Sequence, residues 1–149
     1  MRVVVQRALD AKCLVNEENV GSIDKGFMLL VGFTHHDTMK EVKALTKKIV
    51  GLRIFEDEQG KMNKSIHDIN GEILAISQFT LYADAKHGNR PSFTEAMAYE
   101  QANLLFSQFI EELKTYIPKV QTGVFGADMK ISFVNDGPVT ILLDSQELL

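Results

Sequence analysis

Cysteine occurs only once in the 149 residues, at Cys13. A single thiol excludes an intrachain disulfide and any zinc site built on several thiolates. No apolar run approaches the ~20 residues a bilayer-spanning helix needs. The opening Met1-Arg2-Val3-Val4-Val5-Gln6-Arg7 is too short an apolar segment for a signal peptide and lacks a small-residue cleavage site. There is no excess of positive charge either: the formal net charge is −4. That balance argues against a general nucleic-acid coat, although one local basic patch can still meet RNA. His35-His36, His67 and His87 have no third ligand at metal spacing, so neither a metal nor another cofactor is expected. Repeats, linkers and low-complexity segments are also missing. These absences together point to a cytoplasmic protein that does not engage a membrane.

What remains is enough for one ordinary core. Hydrophobic residues make up 45% and charged residues 24% of the chain, the balance of a compact domain. One domain is expected across residues 1–149. The β-branched stretch 2–9 and the shorter 12–15 predict two strands, and Asn16-Glu17-Glu18-Asn19 a turn into Val20-Gly21-Ser22-Ile23. Cys13 then reads as a small packed strand residue. Residues 26–33 form an apolar run bounded by glycines, the pattern of a strand covered on both faces. Thr38-Met39-Lys40-Glu41 matches a capping box, and Met39, Val42, Leu45, Ile49 and Leu52 recur at helical spacing. A short strand at 53–56, a turn at 57–60 and an irregular or briefly extended stretch at 61–66 follow. Asn70-Gly71 marks the turn into the buried strand 73–76.

Ser92-Phe93-Thr94-Glu95 offers a second capping box, or Thr94 caps alone. It predicts a long helix to about Tyr116 with an apolar stripe of Met97, Leu104, Leu105, Phe109, Leu113 and Tyr116. Strands at 120–124, 130–134 and 140–143 close the chain, with Gly137-Pro138 as a turn between the last two and a polar tail from Asp144. The fold class expected is α+β: a single domain with a largely antiparallel sheet or partial barrel and two main helices.

Two stretches carry the chemistry. Ser77-Gln78-Phe79-Thr80 ends a buried strand in hydrogen-bonding side chains, and polar groups at a sheet rim are where small active sites assemble. Backbone N–H groups at such a strand end can face a developing oxyanion. No histidine or carboxylate is tied to Ser77 or Thr80 by spacing, so a serine-hydrolase triad is not supported. Asn135-Asp136-Gly137-Pro138-Val139-Thr140 has the same polar character, and its Gly-Pro pair can present a rigid main-chain wall with no side chain at Gly137. The two stretches are read as one site. A strand end that only satisfies nearby backbone, and a plain turn at Gly137-Pro138, are the structural alternatives.

Four motifs in order, Ser77-Gln78-Phe79-Thr80-Leu81, Gly88-Asn89-Arg90-Pro91-Ser92-Phe93, Gln121 to Met129 and Asn135-Asp136-Gly137-Pro138-Val139-Thr140, resemble the D-aminoacyl-tRNA deacylase family from Met1 to about Leu143. The resemblance implies a metal-free homodimer. It would hydrolyse the ester between a D-amino acid, or glycine, and the terminal adenosine of tRNA. It implies that the Gln78-Phe79-Thr80 segment, with Ser77, lies beside the ester and that N–H groups near Phe79 and Thr80 bind its carbonyl. Gly137 and Pro138 match a Gly-cisPro pair that enters the partner's pocket and screens chirality. Arg7 matches the arginine bracing that pair, and Phe125 and Met129 match positions lining the adenosine pocket. Two mechanisms stay open, attack assisted by the substrate's ribose 2′-OH and Thr80 as covalent nucleophile. A non-catalytic nucleic-acid-binding module and a dimerisation domain are the alternatives from other classes. Lys86, Arg90, Lys61, Lys64 and Arg53 are candidates for a basic rim that meets RNA.

Overall fold

A computed structural model describes residues 1–149. The first element is β1, Arg2–Val15, where two separate strands are predicted. Asp10 takes a positive φ of 51°, so the strand bends there instead of ending. The pairing register of β1 shifts between Leu9 and Lys12 at the same point. Asn16 and Glu17, with φ of 50° and 67°, make the tight turn into β2, Glu18–Gly32. Consecutive left-handed residues suit the twist of a two-residue hairpin.

The apolar run of β2 is covered on both faces, as its composition predicts. Phe27, Leu29 and Val31 enter the main core, while Met28 belongs to a smaller cluster with Ala8, Cys13, Leu74 and Ile76 on the other side. Cys13 is fully buried, and that burial pushes its thiol pKa up, in keeping with a packing role.

Helix α1, Met39–Gly51, carries both halves of the predicted capping box. The Thr38 N–H donates to Glu41 Oε2 at 2.7 Å, and the Lys40 N–H to Thr38 Oγ1 at 3.2 Å. After it come a small two-stranded sheet, β3 (Phe55–Glu56) with β4 (Met62–Lys64), and then β5, Glu72–Ser77.

Helix α2 departs from expectation. It spans Tyr99–Lys114 and its N-cap, Ala98, makes no side-chain cap bond. The capping-box match at 92–95 fails because tertiary bridges take up that backbone and leave a tight turn between them, closed by the Ala96 N–H donating to the Phe93 carbonyl at 3.1 Å. Ser92 and Asp84 exchange backbone hydrogen bonds of 2.7 and 2.8 Å, and Ala96 bridges Thr34. The buried face of α2 is Leu105, Phe106, Phe109, Ile110 and Leu113. Leu104 and Tyr116, placed on the stripe by spacing, are 63% and 43% exposed. Phe109 and Leu113 are fully buried and pack with Phe27 and Leu45. Each such side chain contributes about 1.5–3 kcal/mol.

Strand β6 is Val120–Thr122, and β7 runs unbroken as Lys130–Asp144. Gly137-Pro138 is therefore a bulge inside one edge strand and not a turn between two. The register on β1 slips between Gln6 and Ala8 to absorb it. The predicted polar tail is instead a short helix, α3, Ser145–Leu148, whose buried Ser145 N–H donates to the Met1 carbonyl at 2.9 Å.

The five-stranded sheet has the order β6-β5-β2-β1-β7. Its long pairings, β1 with β2 and β1 with β7, are antiparallel; the shorter β2–β5 and β5–β6 pairings are parallel. The fold is one α+β domain with two main helices, and the mixed sheet stays open at β6 and β7 rather than closing into a barrel. Edge strands β7 and β6 thus frame the molecule, with the ends of β2 and β5 at one rim.

Candidate active site

At that rim the buried strand β5 gives way to polar residues. The Gln78 N–H donates to the Val31 carbonyl at 2.7 Å, the last ladder bond between β5 and β2. The chain then turns through a single 3-10 turn, Phe79–Tyr82. The N–H groups of Phe79 and Thr80 open this turn and find no backbone acceptor in the chain. Two adjacent donors are left available at the strand end.

Beside them lies a cleft of about 630 Å³, within the usual range for a small-molecule site. Ser77, Gln78 and Phe79 form one side of it, and Phe125 and Met129, from the β6–β7 connection, form another. Five of the sequence-predicted site residues therefore share one cavity. Thr80 is exposed and is not on the lining. Two glycines shape the far wall. A Cβ at Gly126, whose φ is +79°, would come within 2.7 Å of the Tyr99 ring, and one at Gly123 would collide with Met129 Sδ. Their lack of side chains lets Tyr99 and Met129 fold over the cleft. Tyr99 meets Phe125 edge-on at 5.1 Å, and Phe125 in turn contacts Phe106 at 5.9 Å.

The cleft is poor in titratable groups. Asp128 is its one acidic lining residue and is paired with Lys130 at 3.1 Å. No three His, Cys, Asp or Glu side chains gather closely enough to hold a metal ion. His35 Nε2 contacts the Thr94 carbonyl oxygen at 2.6 Å and is not on the cleft lining.

Gly137, Pro138 and Arg7 form a second cluster, outside the cleft lining of their own chain. Gly137 sits level with the Arg7–Phe27 pair in the ladder, two strands over from β2 and four residues along from Val31, roughly 15 Å away at ordinary strand spacings. Within one chain, the two stretches read as a single site are thus held apart. The Gly137-Pro138 bond is cis, and Gly137 has a φ of +118°.

The bulge is pinned from inside. Asn135 Nδ2 donates to the Arg7 and Val139 carbonyls, both at 3.1 Å, and Gln6 Nε2 donates to Asn135 Oδ1 at 3.2 Å. Arg7, only 5% exposed, binds across the loop. Its Nε donates to the Asp136 carbonyl at 3.2 Å and lies the same distance from Asp136 Oδ2. Its Nη1 donates to the Ile54 carbonyl at 2.9 Å and to both Glu56 carboxylate oxygens at 3.0 Å. The hydrogen bond from Arg7 holds the Glu56 carboxyl below its usual pKa.

Sequence reasoning missed two contributors. Glu56 looked like a strand residue next to a turn, and nothing local ties it to Arg7. Tyr99, 60% exposed, was hidden by the misplaced start of α2; an aromatic residue left at a helix N-terminus beside a glycine-rich loop is the signal that could have found it.

Comparison with known proteins adds five findings. Residues 4–144 match the family model described as D-Tyr-tRNA(Tyr) deacylase. The chain is 53% identical over 147 residues to a D-aminoacyl-tRNA deacylase of Clostridium novyi (strain NT), covering 99% of both chains. It is 52% identical, at the same coverage, to the D-aminoacyl-tRNA deacylase of Clostridium botulinum (strain 657 / Type Ba4). Among solved structures, the c-Myc DNA Unwinding Element Binding Protein superposes with a TM-score of 0.92 at 44% identity, over 97% of this chain and 98% of that one. A probable eukaryotic D-amino acid tRNA deacylase shares the fold with a TM-score of 0.82 at 18% identity, over 95% and 97% of the chains.

Proposed function

The chain belongs to the D-Tyr-tRNA(Tyr) deacylase family and is a D-aminoacyl-tRNA deacylase, a carboxylic ester hydrolase; on that premise we propose how its cleft carries out the cleavage and rejects the L enantiomer. The terminal adenosine occupies the apolar cleft against Phe125 and Met129, and the ester carbonyl turns toward the N–H groups of Phe79 and Thr80. Those donors stabilise the oxyanion that forms when water attacks. The ribose 2′-OH next to the ester relays the proton, because it is held in place by the same binding that positions the carbonyl. The products are the free D-amino acid and tRNA with its terminal hydroxyl restored.

The observation that carries this reading is the pair of unpartnered N–H donors at the end of β5, on a cleft with no acid or base placed to activate a nucleophile. Thr80 has less support as nucleophile, since its side chain is exposed, off the cleft lining and without a general base. The Thr80→Ala variant should therefore keep kcat within about tenfold of wild type, the scale of lost positioning and not of a lost covalent step. A folded Thr80→Ala protein with no measurable activity would transfer the role to Thr80.

Chirality is screened by Gly137 and Pro138 of a second copy in a homodimer. Three features support this. The pair is exposed and displaced from its own cleft, it lies on the open edge strand β7, and that strand shows Val134 and Leu142 at 55% and 66% exposure. Free edges and exposed apolar residues are features that association covers. With carbonyl and α-amine fixed, an L side chain meets the main-chain wall and a D side chain points to solvent; a clash excludes more firmly than pocket fit. Glycine, having no side chain, passes. Such a reaction belongs in the cytoplasm, where charged tRNA is used. The test is release of free amino acid from D-tyrosyl-, L-tyrosyl- and glycyl-tRNA. The expected order is D-tyrosyl and glycyl cleaved, L-tyrosyl spared. Release from neither D-tyrosyl nor glycyl substrate would overturn the reading.

A further inference from the structure

The outward face of α1 is built almost wholly of lysine. Lys40, Lys43 and Lys47 recur at spacings of three and four, which puts them on one side of the helix, opposite the buried Val42, Leu45 and Ile49. Lys48 flanks them. All four are exposed and none joins a salt bridge. The single acid of the helix, Glu41, is occupied by the Thr38 cap. A merely solvated helix face usually mixes signs at i,i+4 spacing. Helix α2 differs, with Glu100, Glu111 and Glu112 against Lys114. In a chain of net charge −4 with 16 lysines and arginines, α1 thus gathers Lys40, Lys43, Lys47 and Lys48 on one helix with no free acid to offset them.

Its place in the fold gives this charge a direction. β2 ends at the cleft rim, where Phe33 lines the cavity. The next residue, Thr34, donates its hydroxyl to the Glu95 carbonyl beside the cleft wall, and α1 starts just beyond. The lysine row therefore starts at the end of the sheet where β2 reaches the cleft rim and runs on along the helix from there. From Lys40 to Lys47 it spans about 10 Å at helical rise, the axial length of about three successive phosphates of one strand.

We propose that this face of α1 binds the phosphate backbone of the paired stem that follows the single-stranded 3′ end of the substrate RNA. The inference rests on the cleft reading above, but its test does not depend on catalysis. Of the five cations nominated from sequence, Lys64 is neutralised by Glu58 at 2.7 Å and the Arg53 guanidinium is held by Asn63 at 3.0 Å. Lys61, Lys86 and Arg90 are exposed and unpaired but are divided between two separate loops, whereas the α1 lysines form one row.

The probe is uncharged tRNA titrated onto wild type and the Lys40→Gln/Lys43→Gln/Lys47→Gln variant, with hydrolysis measured in parallel on D-tyrosyl-tRNA and on D-tyrosyl-adenosine. The variant should bind tRNA at least tenfold more weakly, and the slope of log K against log salt should flatten by about 2–3, at roughly 0.7–0.9 for each phosphate that is no longer neutralised. Its kcat/KM on tRNA should fall through KM, while cleavage of D-tyrosyl-adenosine stays within twofold. Unchanged tRNA binding and salt slope would overturn the proposal, as would equal losses on both substrates. Weaker tRNA binding by the variant in a protein that cleaves neither substrate would keep the α1 surface and sink the cleft reading instead.

Discussion

A Gly137→Ala variant should cleave L-tyrosyl-tRNA, with the D-to-L preference falling by at least tenfold, equivalent to about 1.4 kcal/mol of discrimination. Two features lead there. Gly137 has a φ of +118°, a conformation closed to alanine at low cost. Its added Cβ would also lie 2.7 Å from both the N and the Cγ2 of Val139, and a backbone atom at that distance cannot be rotated away. The main chain must move, and with it the carbonyls proposed to exclude the L side chain. Because the residue is exposed at the edge of the sheet, the core stays intact and the protein should remain folded. Initial rates on both enantiomers, with circular dichroism as the folding control, decide the matter. An unchanged ratio in a folded variant would remove the pair from the chirality screen.

Arg7→Met should lose stability and selectivity together. The methionine fills most of the volume but leaves the Ile54 and Asp136 carbonyls without their charged donor. Glu56 and Asp136 are partly exposed and can regain water, so the ion pairs themselves count for little. Removing the hydrogen bonds of a buried guanidinium costs about 2–3 kcal/mol, which in a domain of this size lowers Tm by about 5–10 °C. The D-to-L ratio should fall in parallel, since nothing else holds the Asp136 carbonyl next to the bulge. Arg7→Lys separates the two effects: it keeps a charge but not the fork that reaches Asp136 and Ile54 at once, so it should recover stability better than selectivity. Thermal melts with rates on both enantiomers provide the check; full selectivity in Arg7→Met would show that the bulge holds itself.

Most of what the sequence made legible is local. The capping box at Thr38, the hairpin at Asn16-Glu17 and the buried run in β2 are each written within a few residues, and the structure follows them. The polar end of β5 is legible for the same reason, a short apolar strand ending abruptly in Ser77-Gln78. The failures have a common cause in long-range contacts. The Ser92-to-Glu95 cap signal is overridden because Asp84 and Thr34 claim that backbone for bridges. Gly137-Pro138 reads as a turn because no local feature reveals that β1 runs beneath it and carries the strand through. Glu56 and Tyr99 are invisible as site residues until tertiary packing brings them to Arg7 and Phe125.

The order of strands in the sheet bears on how the molecule is made. β1 lies between β2 and β7, and its pairing with β7 joins residues 2–14 to residues 130–144. On a ribosome the hairpin with β2 can form early, but the other side of β1 stays uncovered until nearly the whole chain has emerged. Pairing so distant in sequence is slow, and a nascent strand with one bare flank is the kind of segment that sticks to its neighbours.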